Sequence, residues 1–297
     1  MVSFDVADRS TTAIIVDYFA GEFLSRAINS LFADGVARVV VVDNSEEMAS
    51  LGSPYYQDER VDFIFAEKNL GYGAAVNRAL VRVDTPFVIV SNPDIAVAPG
   101  TIAKLIDSAL DPSVGIVGPE VLDSDGVRYP SFRRFPSFID SIGHGMLGQF
   151  LPNNRFSAHY KLAGLHPIEA VEVPWVSGAF FLARTEVLNS LGGFDPAYFM
   201  YCEDIDLCYR ASRRGFVVVY QPEATVTHAQ GESSKLVATR SLYHHHRSMW
   251  IYAARHERST ATQWFGFFGL ILRFFILISR NKFQRMRLSA SQVDKSY

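Results

Sequence analysis

Three carboxylates fall within four residues at Glu203, Asp204 and Asp206, directly after the aromatic run Tyr198-Phe199-Met200-Tyr201. Negative charge beside an apolar wall is the setting in which a carboxylate pKa rises toward the working range of a general base. The same acids at a helix start would also complement its macrodipole and cap its first N–H groups, and residue types alone leave both uses open. Two more acidic loops, Asp43-Asn44-Ser45 and Ser91-Asn92-Pro93-Asp94, follow β-branched runs. Asp, Asn, Ser and Pro also build ordinary turns. His228, closing the run from Ala224, could share a divalent cation with Asp94, although a lone histidine is more often a hydrogen-bonded structural residue. The small-residue run from Glu67 to Asn77 includes Asn69, Gly71 and Asn77, and lets a phosphate or nucleoside approach a helix N-terminus closely. It is neither a Walker A loop nor a GxGxxG, and a tight turn into a packed helix accounts for it equally. Arg247 is a candidate diphosphate contact or a member of a solvated helix face. The preceding His244, His245 and His246 leave a helix on different faces, which argues against one shared metal.

These loops need strands to place them. Thr12 to Asp17, Arg38 to Asp43, Val61 to Phe65 and Pro86 to Val90 read as buried strands, and Glu22 to Phe32 and Gly73 to Val83 as helices between them. That alternation predicts βαβ units on a mainly parallel sheet. Ligands bind beyond the carboxyl ends of such strands, so the loops at Asp43 and Asp94 are expected to face one site. A helix from Pro99 to Leu110 and a strand from Val114 to Val117 continue the pattern. From Asp123 to Glu172 the period is lost among Pro130, Pro136, Pro152 and Pro167, which predicts long loops with short helices. Phe180 to Ala183 then reads as a strand, and Glu186 to Leu191 and Asp204 to Arg214 as helices, the last stopped by Gly215.

At 297 residues and 48% hydrophobic content the chain can bury a full core. A formal charge of −3, without any nucleic-acid-binding motif, argues against nucleic acid as a partner. Two cysteines, Cys202 and Cys208, point to reduced thiols in a cytoplasmic protein, and the polar start of the chain lacks a secretory leader's apolar run. Charge is uneven: from Arg255 onward eight Lys and Arg face Glu257 and Asp294, a net of +6, which leaves −9 on the preceding 254 residues. A basic tail on an acidic body suits an anionic membrane surface.

Taken in order, VDNS at Val42 to Ser45, EKNLGYGAAVN at Glu67 to Asn77, SNPD at Ser91 to Asp94, and GGFDPAYFMYCEDIDLCYR at Gly192 to Arg210 resemble the inverting family 2 glycosyltransferases, particularly bacterial dTDP-rhamnose-dependent rhamnosyltransferases. The resemblance covers about Thr12 to Trp250. It implies an α/β, GT-A type nucleotide-diphospho-sugar transferase fold, a mainly parallel mixed sheet flanked by helices. Residues 1–230 would form the transferase domain, with a nucleotide-binding half to about 120 and an acceptor-binding half beyond it, and 231–297 a helical membrane-associating region. It further implies that Asp43 reads the base, that Val16 to Tyr18 flank it, and that Asp94 closes the DXD motif and holds Mg2+ or Mn2+. Asp204 matches the general base, with Glu203 as its support. Trp175, Ser177 and Gly178 match the segment lining the acceptor side, to which Asp206 would add. Trp175 is read either as a sugar-stacking platform or as a core tryptophan. Two departures stand out: the first DXD carboxylate is the amide of Asn92, and Asp17 and Phe19 stand where the family more often has Thr and Asn.

Trp264 to Ser279 is 16 residues, nearly all apolar. As a helix it would reach about 24 Å, short of a hydrocarbon core of about 30 Å, so a helix lying in the cytoplasmic interface is expected and a full crossing is disfavoured. A buried helix or a homo-oligomer contact is the alternative. A transferase seated at the membrane implies a nucleotide-sugar donor and a lipid-linked saccharide acceptor, for which rhamnosyl transfer to a polyprenyl diphosphate sugar is the leading expectation. UDP-sugar donors, or a silent glycan-binding scaffold, are the rivals.

Overall fold

The computed structural model describes residues 9–136, 151, 154–162, 164–229, 239–257 and 259–293, with 280–293 as helical backbone alone. The chain divides into two compact units, Met1–Phe135 with Tyr160–Gln230, and Pro136–His159 with Gly231–Tyr297.

The first unit opens with β1 (Thr11–Asp17), α1 (Glu22–Ala33), β2 (Arg38–Asp43), β3 (Val61–Phe65), α2 (Tyr72–Leu80) and β4 (Phe87–Ser91). It continues through β5 (Ile95–Val97), α3 (Thr101–Ala109), β6 (Val114–Leu122), β7 (Arg128–Tyr129) and β8 (Phe132–Arg133). After the short helix α4 (Arg155–Tyr160) come β9 (Val171–Glu172), β10 (Trp175–Val176), β11 (Phe180–Arg184), α5 (Thr185–Leu191), α6 (Glu203–Arg213) and β12 (Val217–His228). The main sheet runs β3-β2-β1-β4-β11-β6-β12-β5, while β8 and β10 form a separate small pair. From β3 to β4 every pairing is parallel, and β11 then enters antiparallel between β4 and β6.

Burial on both faces explains the unbroken Val and Ile runs of β1, β2 and β4. Ala13, Ile15, Val39, Val41 and Ile89 share one cluster with Leu24, Ala27, Ile28 and Leu31 of α1 and Ile102, Leu105 and Ile106 of α3. Their neighbours Ile14, Val40, Val88 and Val90 alternate to the other face, equally buried, and α2 packs on β1 and β2. The mixed sheet with flanking helices is the expected architecture. The two-residue strands β7, β8 and β9 fall in the stretch expected as loops with short helices, and β5 and all but the end of β12 had no strand expectation either. β5 is three residues paired with β12 and bonded to α1 through the Val97 N–H and Ser30, and β12 itself is interrupted in sequence by Pro222, which sits where the register on β6 shifts between Gln221 and Thr225. A bulge is where a sheet tolerates proline, so a turn-like sequence hides a twelve-residue strand.

The second unit holds α7 (Thr239–His256) and α8 (Thr260–Val293). Trp250 meets Phe267 at 4.8 Å, His246 meets Phe274 at 5.4 Å, and Arg273 Nη1 donates to Met249 Sδ at 3.6 Å. Trp264, Phe265, Phe268, Leu272, Phe275 and Ile276 form the exposed stripe of the same helix. The structure corrects the length argument against a crossing. The apolar stretch begins at Thr260 and runs 20 residues to Ser279, about 30 Å as a helix, so length and composition suffice to cross a membrane.

Gly118 on β6 is required by the close approach of β10, since a Cβ there would lie 2.6 Å from the Val176 Cβ. Gly118→Ala is expected to destabilise the unit by about 1–3 kcal/mol through this overpacking. Thermal unfolding reads it as a lowered Tm; an unchanged Tm would mean that β10 is not tightly seated.

Candidate active site

The parallel register brings the ends of β1, β2 and β4 to one sheet edge, pairing Asp17 with Asp43 and Ile15 with Ser91. Asp43 is fully buried. Its Oδ1 accepts the Ser45 N–H (2.9 Å) and hydroxyl (2.6 Å), and its Oδ2 accepts the Ser50 N–H (2.8 Å) and hydroxyl (2.7 Å). Burial pushes this carboxyl up, but the bonds from Ser45 and Ser50 outweigh it and hold the pKa below the usual range. Both oxygens are thus committed to shaping the loop, and a base reader at Asp43 must exchange one of these bonds. Asp17 accepts the Ala20 N–H at 3.0 Å, and burial raises its pKa. Val16 is buried, whereas the Tyr18 ring is open to solvent and meets Phe19 edge-on at 4.9 Å.

Asn44 clips the second loop to the first. Its Oδ1 accepts the Leu70 N–H at 2.8 Å and its Nδ2 donates to Asn69 Oδ1 at 3.1 Å, an oxygen that also accepts the Gly71 N–H at 2.9 Å. Gly71 has φ +82°, and a Cβ there would lie 2.3 Å from the Phe199 carbonyl oxygen, so only glycine fits. Asn77 does not reach a ligand as expected. Its amide makes two bonds to Phe194, donating to the carbonyl (2.7 Å) and accepting from the N–H (2.8 Å), which locks α2 to the loop before the acid helix.

Beyond β4, Asn92 Nδ2 lies 3.4 Å from His228 Nε2, and His228 Nε2 lies 3.1 Å from Asp94 Oδ1. The expected metal pair is therefore in direct contact, placed by the pairing of His228 with Ile95 between β12 and β5. A carboxylate oxygen and an imidazole nitrogen are a fitting donor set for a divalent ion. The set is incomplete by itself, since among the described residues no group of three or more His, Cys, Asp or Glu could hold a metal. Among the described residues the buried His228 Nδ1 has no hydrogen-bond partner, so none of them gives the ring the outer support that ligating histidines usually have.

The acid helix starts from strained backbone: Tyr201 (φ 71°) and Cys202 (φ 64°) both sit in the left-handed region, at roughly 1–3 kcal/mol each. The Cys202 side chain makes no cap bond, and Asp204 takes the first-turn Ile205 N–H instead, so part of the capping use is realised by one of the acids. Asp204 is the only one of the three that is more than marginally exposed. Its Oδ2 accepts the Gly178 N–H at 2.9 Å and its Oδ1 the Ile205 N–H at 2.8 Å. Burial still raises its pKa, against those bonds and the nearby Arg133 charge. Glu203 is buried with Oε2 unpartnered, and burial followed by the Asp204 charge pushes its pKa up strongly. Glu203 and Asp204 titrate as a pair whose pKa values burial raises, and Asp204 is the partly exposed member.

Asp206 does not serve the acceptor side. It is buried, bonded to Arg210 Nε at 2.7 Å and to the Tyr198 hydroxyl at 3.4 Å, while Arg210 also donates to the Leu191 and Gly193 carbonyls. Trp175 is likewise a wall residue, 5% exposed, with Nε1 donating to the Arg134 carbonyl at 2.8 Å. The core alternative therefore holds, and no stacking platform is offered. Ser177 N–H donates to the Ser131 carbonyl at 2.7 Å, and the Ser177 hydroxyl accepts the Ala179 N–H at 3.3 Å. Gly178 lies directly against Asp204, where a Cβ would be 3.0 Å from the Asp204 Cβ. Arg247 lies on α7 in the second unit.

Sequence reasoning missed two central residues. The Tyr72 hydroxyl donates to the Gly178 carbonyl at 2.8 Å, and its pKa is raised well above normal by burial and by Glu203, Asp204 and Asp94, so the three acids converge on it. Arg133 lies on β8, paired with Trp175, inside the stretch without a period, and its charge bears on Asp204. The interleaving of Arg133 and Arg134 with Tyr129, Phe132 and Phe135 was its signal.

Residues 9–258 match the model of the glycosyltransferase-like family 2. The chain is 36% identical over 259 residues, 82% of its own length and 84% of the relative's, to the N-acetylglucosaminyl-diphospho-decaprenol L-rhamnosyltransferase of Mycobacterium tuberculosis. It is 24% identical over 250 residues, 82% of its length and 92% of the relative's, to rhamnosyltransferase WbbL of Escherichia coli K12. Among solved structures it is similar to GalNAc-T7 with UDP, GalNAc and Mn2+ (TM-score 0.61, 17% identity, covering 84% of this chain and 51% of that one). It is also similar to the mannosyltransferase PcManGT of Pyrobaculum calidifontis with GDP-Man and Mn2+ (TM-score 0.56, 14% identity, covering 96% and 82%). With a nucleotide-sugar transferase sheet, an acid helix at its edge and this match over most of its length, the chain belongs to the glycosyltransferase-like family 2 and carries the GT-A fold.

Proposed function

We propose that this chain transfers L-rhamnose from dTDP-β-L-rhamnose to a saccharide on a polyprenyl diphosphate, with inversion at the anomeric carbon, in the synthesis of a cell-wall or surface polysaccharide. One observation carries the reading. Gly178 and Ala179 hold the open Asp204 through one N–H and the Asn92 N–H through the next carbonyl (2.8 Å), so a base and the Asp94 loop share one frame. The sugar and the acceptor class are those in the names of the mycobacterial and E. coli relatives.

In this reading the donor base lies between Val16, Tyr18 and the Asp43 loop, with its diphosphate toward Asn69, Gly71, Asn92 and Asp94. Asp94 and His228 would hold Mg2+ or Mn2+, which neutralises the charge growing on the departing diphosphate. Asp204 takes the proton from the acceptor hydroxyl as it attacks, with Glu203 neutral beside it. Ser177 and Gly178 line the acceptor side. A single displacement needs no covalent sugar on the protein.

The apolar stripe of α8 seats the chain on the cytoplasmic face of the membrane. Basic residues flank it at both ends, Arg255 and Arg258 before and Arg280, Lys282, Arg285 and Arg287 after, which favours a helix lying in the interface over one that sends a basic flank outward.

With Mg2+ or Mn2+ and a short GlcNAc-diphospho-polyprenol, a donor panel is expected to give turnover with dTDP-rhamnose. Absence of both transfer and hydrolysis with every donor would leave a scaffold. Asp204→Asn should keep donor binding and lose transfer by about 10²–10⁴-fold, and full activity would remove Asp204 as the base. Because burial raises the Asp204 pKa, kcat/KM is expected to fall with decreasing pH at values above the ordinary carboxylate range; a limb near pH 4 would contradict that environment. Full-length chain should sediment with membranes and be released by alkaline carbonate, and chain ended before Thr260 should stay soluble. Resistance to carbonate would mean a crossing helix.

A further inference from the structure

We propose that Arg133 binds the diphosphate of the lipid-linked acceptor, an inference that rests on the acceptor class proposed above. In such an acceptor the sugar that offers the attacking hydroxyl carries the diphosphate on its own anomeric carbon. The first phosphate therefore lies one pyranose ring away from the base, and a cation is required there.

Arg133 meets that requirement. β8 pairs Arg133 with Trp175 of β10, three residues before the Gly178 whose N–H holds Asp204, so the guanidinium stands on the strand pair that leads to this acid, and its charge opposes the burial that raises that carboxyl. The guanidinium carbon stands 5.6 Å from the Trp175 ring, 5.7 Å from Tyr160 and 5.8 Å from Tyr129, a cage that fixes the group while the side chain remains partly open to solvent. Its donors are only partly used: Nε to the Pro130 carbonyl (3.3 Å), Nη2 to the Tyr129 hydroxyl (3.3 Å), and a bond with the Tyr160 hydroxyl. An arginine has five N–H donors, so with respect to the described residues at least two remain for an oxyanion. Among the described residues no carboxylate is close enough to form a salt bridge with Arg133. Two other arginines are committed elsewhere, Arg210 to Asp206 and two carbonyls and Arg128 to Glu120.

The test compares two acceptors with the full-length chain, GlcNAc-diphospho-polyprenol and a neutral alkyl β-GlcNAc glycoside of matched chain length. Arg133→Gln is expected to lower kcat/KM for the charged acceptor by about 10- to 100-fold, mainly through KM, as loss of a charged hydrogen bond does. Loss on the neutral glycoside should be smaller, limited to the change in charge around Asp204, so that the preference for the charged acceptor falls by about tenfold or more while the donor KM stays the same. Calorimetric binding of the charged acceptor without donor should weaken by a similar factor. Arg133→Lys, which keeps charge but loses the fork, should fall between and replaces glutamine if that variant is poorly folded. An equal loss on both acceptors, or an unchanged preference for the charged one, overturns the assignment while leaving the transferase reading intact. A wild-type chain that turns over donor yet neither binds nor uses the charged acceptor sinks the acceptor class and this inference together.

Discussion

Two consecutive peptides, Gly178 and Ala179, are the point through which the rest of the site is built. The Gly178 N–H holds Asp204, the Gly178 carbonyl accepts the Tyr72 hydroxyl, and the Ala179 carbonyl accepts the Asn92 N–H. Four segments distant in sequence thereby meet within two residues. The arrangement depends on β11 running antiparallel beside β4, because only a reversed strand starts at the edge where its parallel neighbours end. It also depends on the missing side chain of Gly178, whose place is taken by Asp204 itself. Backbone donors do not rearrange when charge moves, so they are suitable partners for a carboxylate that must alternate between two protonation states.

Around that point the charges are arranged unequally. Asp43 and Asp206 are buried and saturated, the first by two serines and the second by Arg210, and they act as fasteners for loops. Asp94 and Asp204 keep access to solvent. Burial raises the pKa of Asp204 against its two backbone bonds, whereas the bonds from Ser45 and Ser50 hold that of Asp43 low. The strained Tyr201 and Cys202 lead directly into the acid helix, where Glu203 is buried and Asp204 is partly exposed.

Much of this was legible in the amino-acid sequence where a period or a motif existed. β1 to β4, α1 and the acid helix carry strong patterns, and the loops at Asp43, Asp94 and Glu203 could be placed by their order. Contacts between distant segments could not. Nothing local distinguishes Asn77 as a clamp on Phe194 from Asn77 as a ligand, or Trp175 as a wall from Trp175 as a platform, since the partner decides each case. β12 was hidden because a bulge accommodates Pro222, and Tyr72 looked like a helix-start residue until Gly178 arrived from more than a hundred positions away. The tail was misjudged by four residues: the helix begins at Thr260, where polar residues mask its continuity with the apolar run.

Glu203 has one more consequence. Its buried, unpartnered oxygen and the adjacent Asp204 raise its pKa, so the folded chain keeps a proton that the unfolded chain releases at lower pH. Folding is therefore linked to proton retention. This contribution is fully present below the unfolded carboxylate pKa and is lost as pH climbs through the raised folded value. The same packing that reserves Asp204 for chemistry gives the domain an alkaline ceiling, set from inside the acid helix.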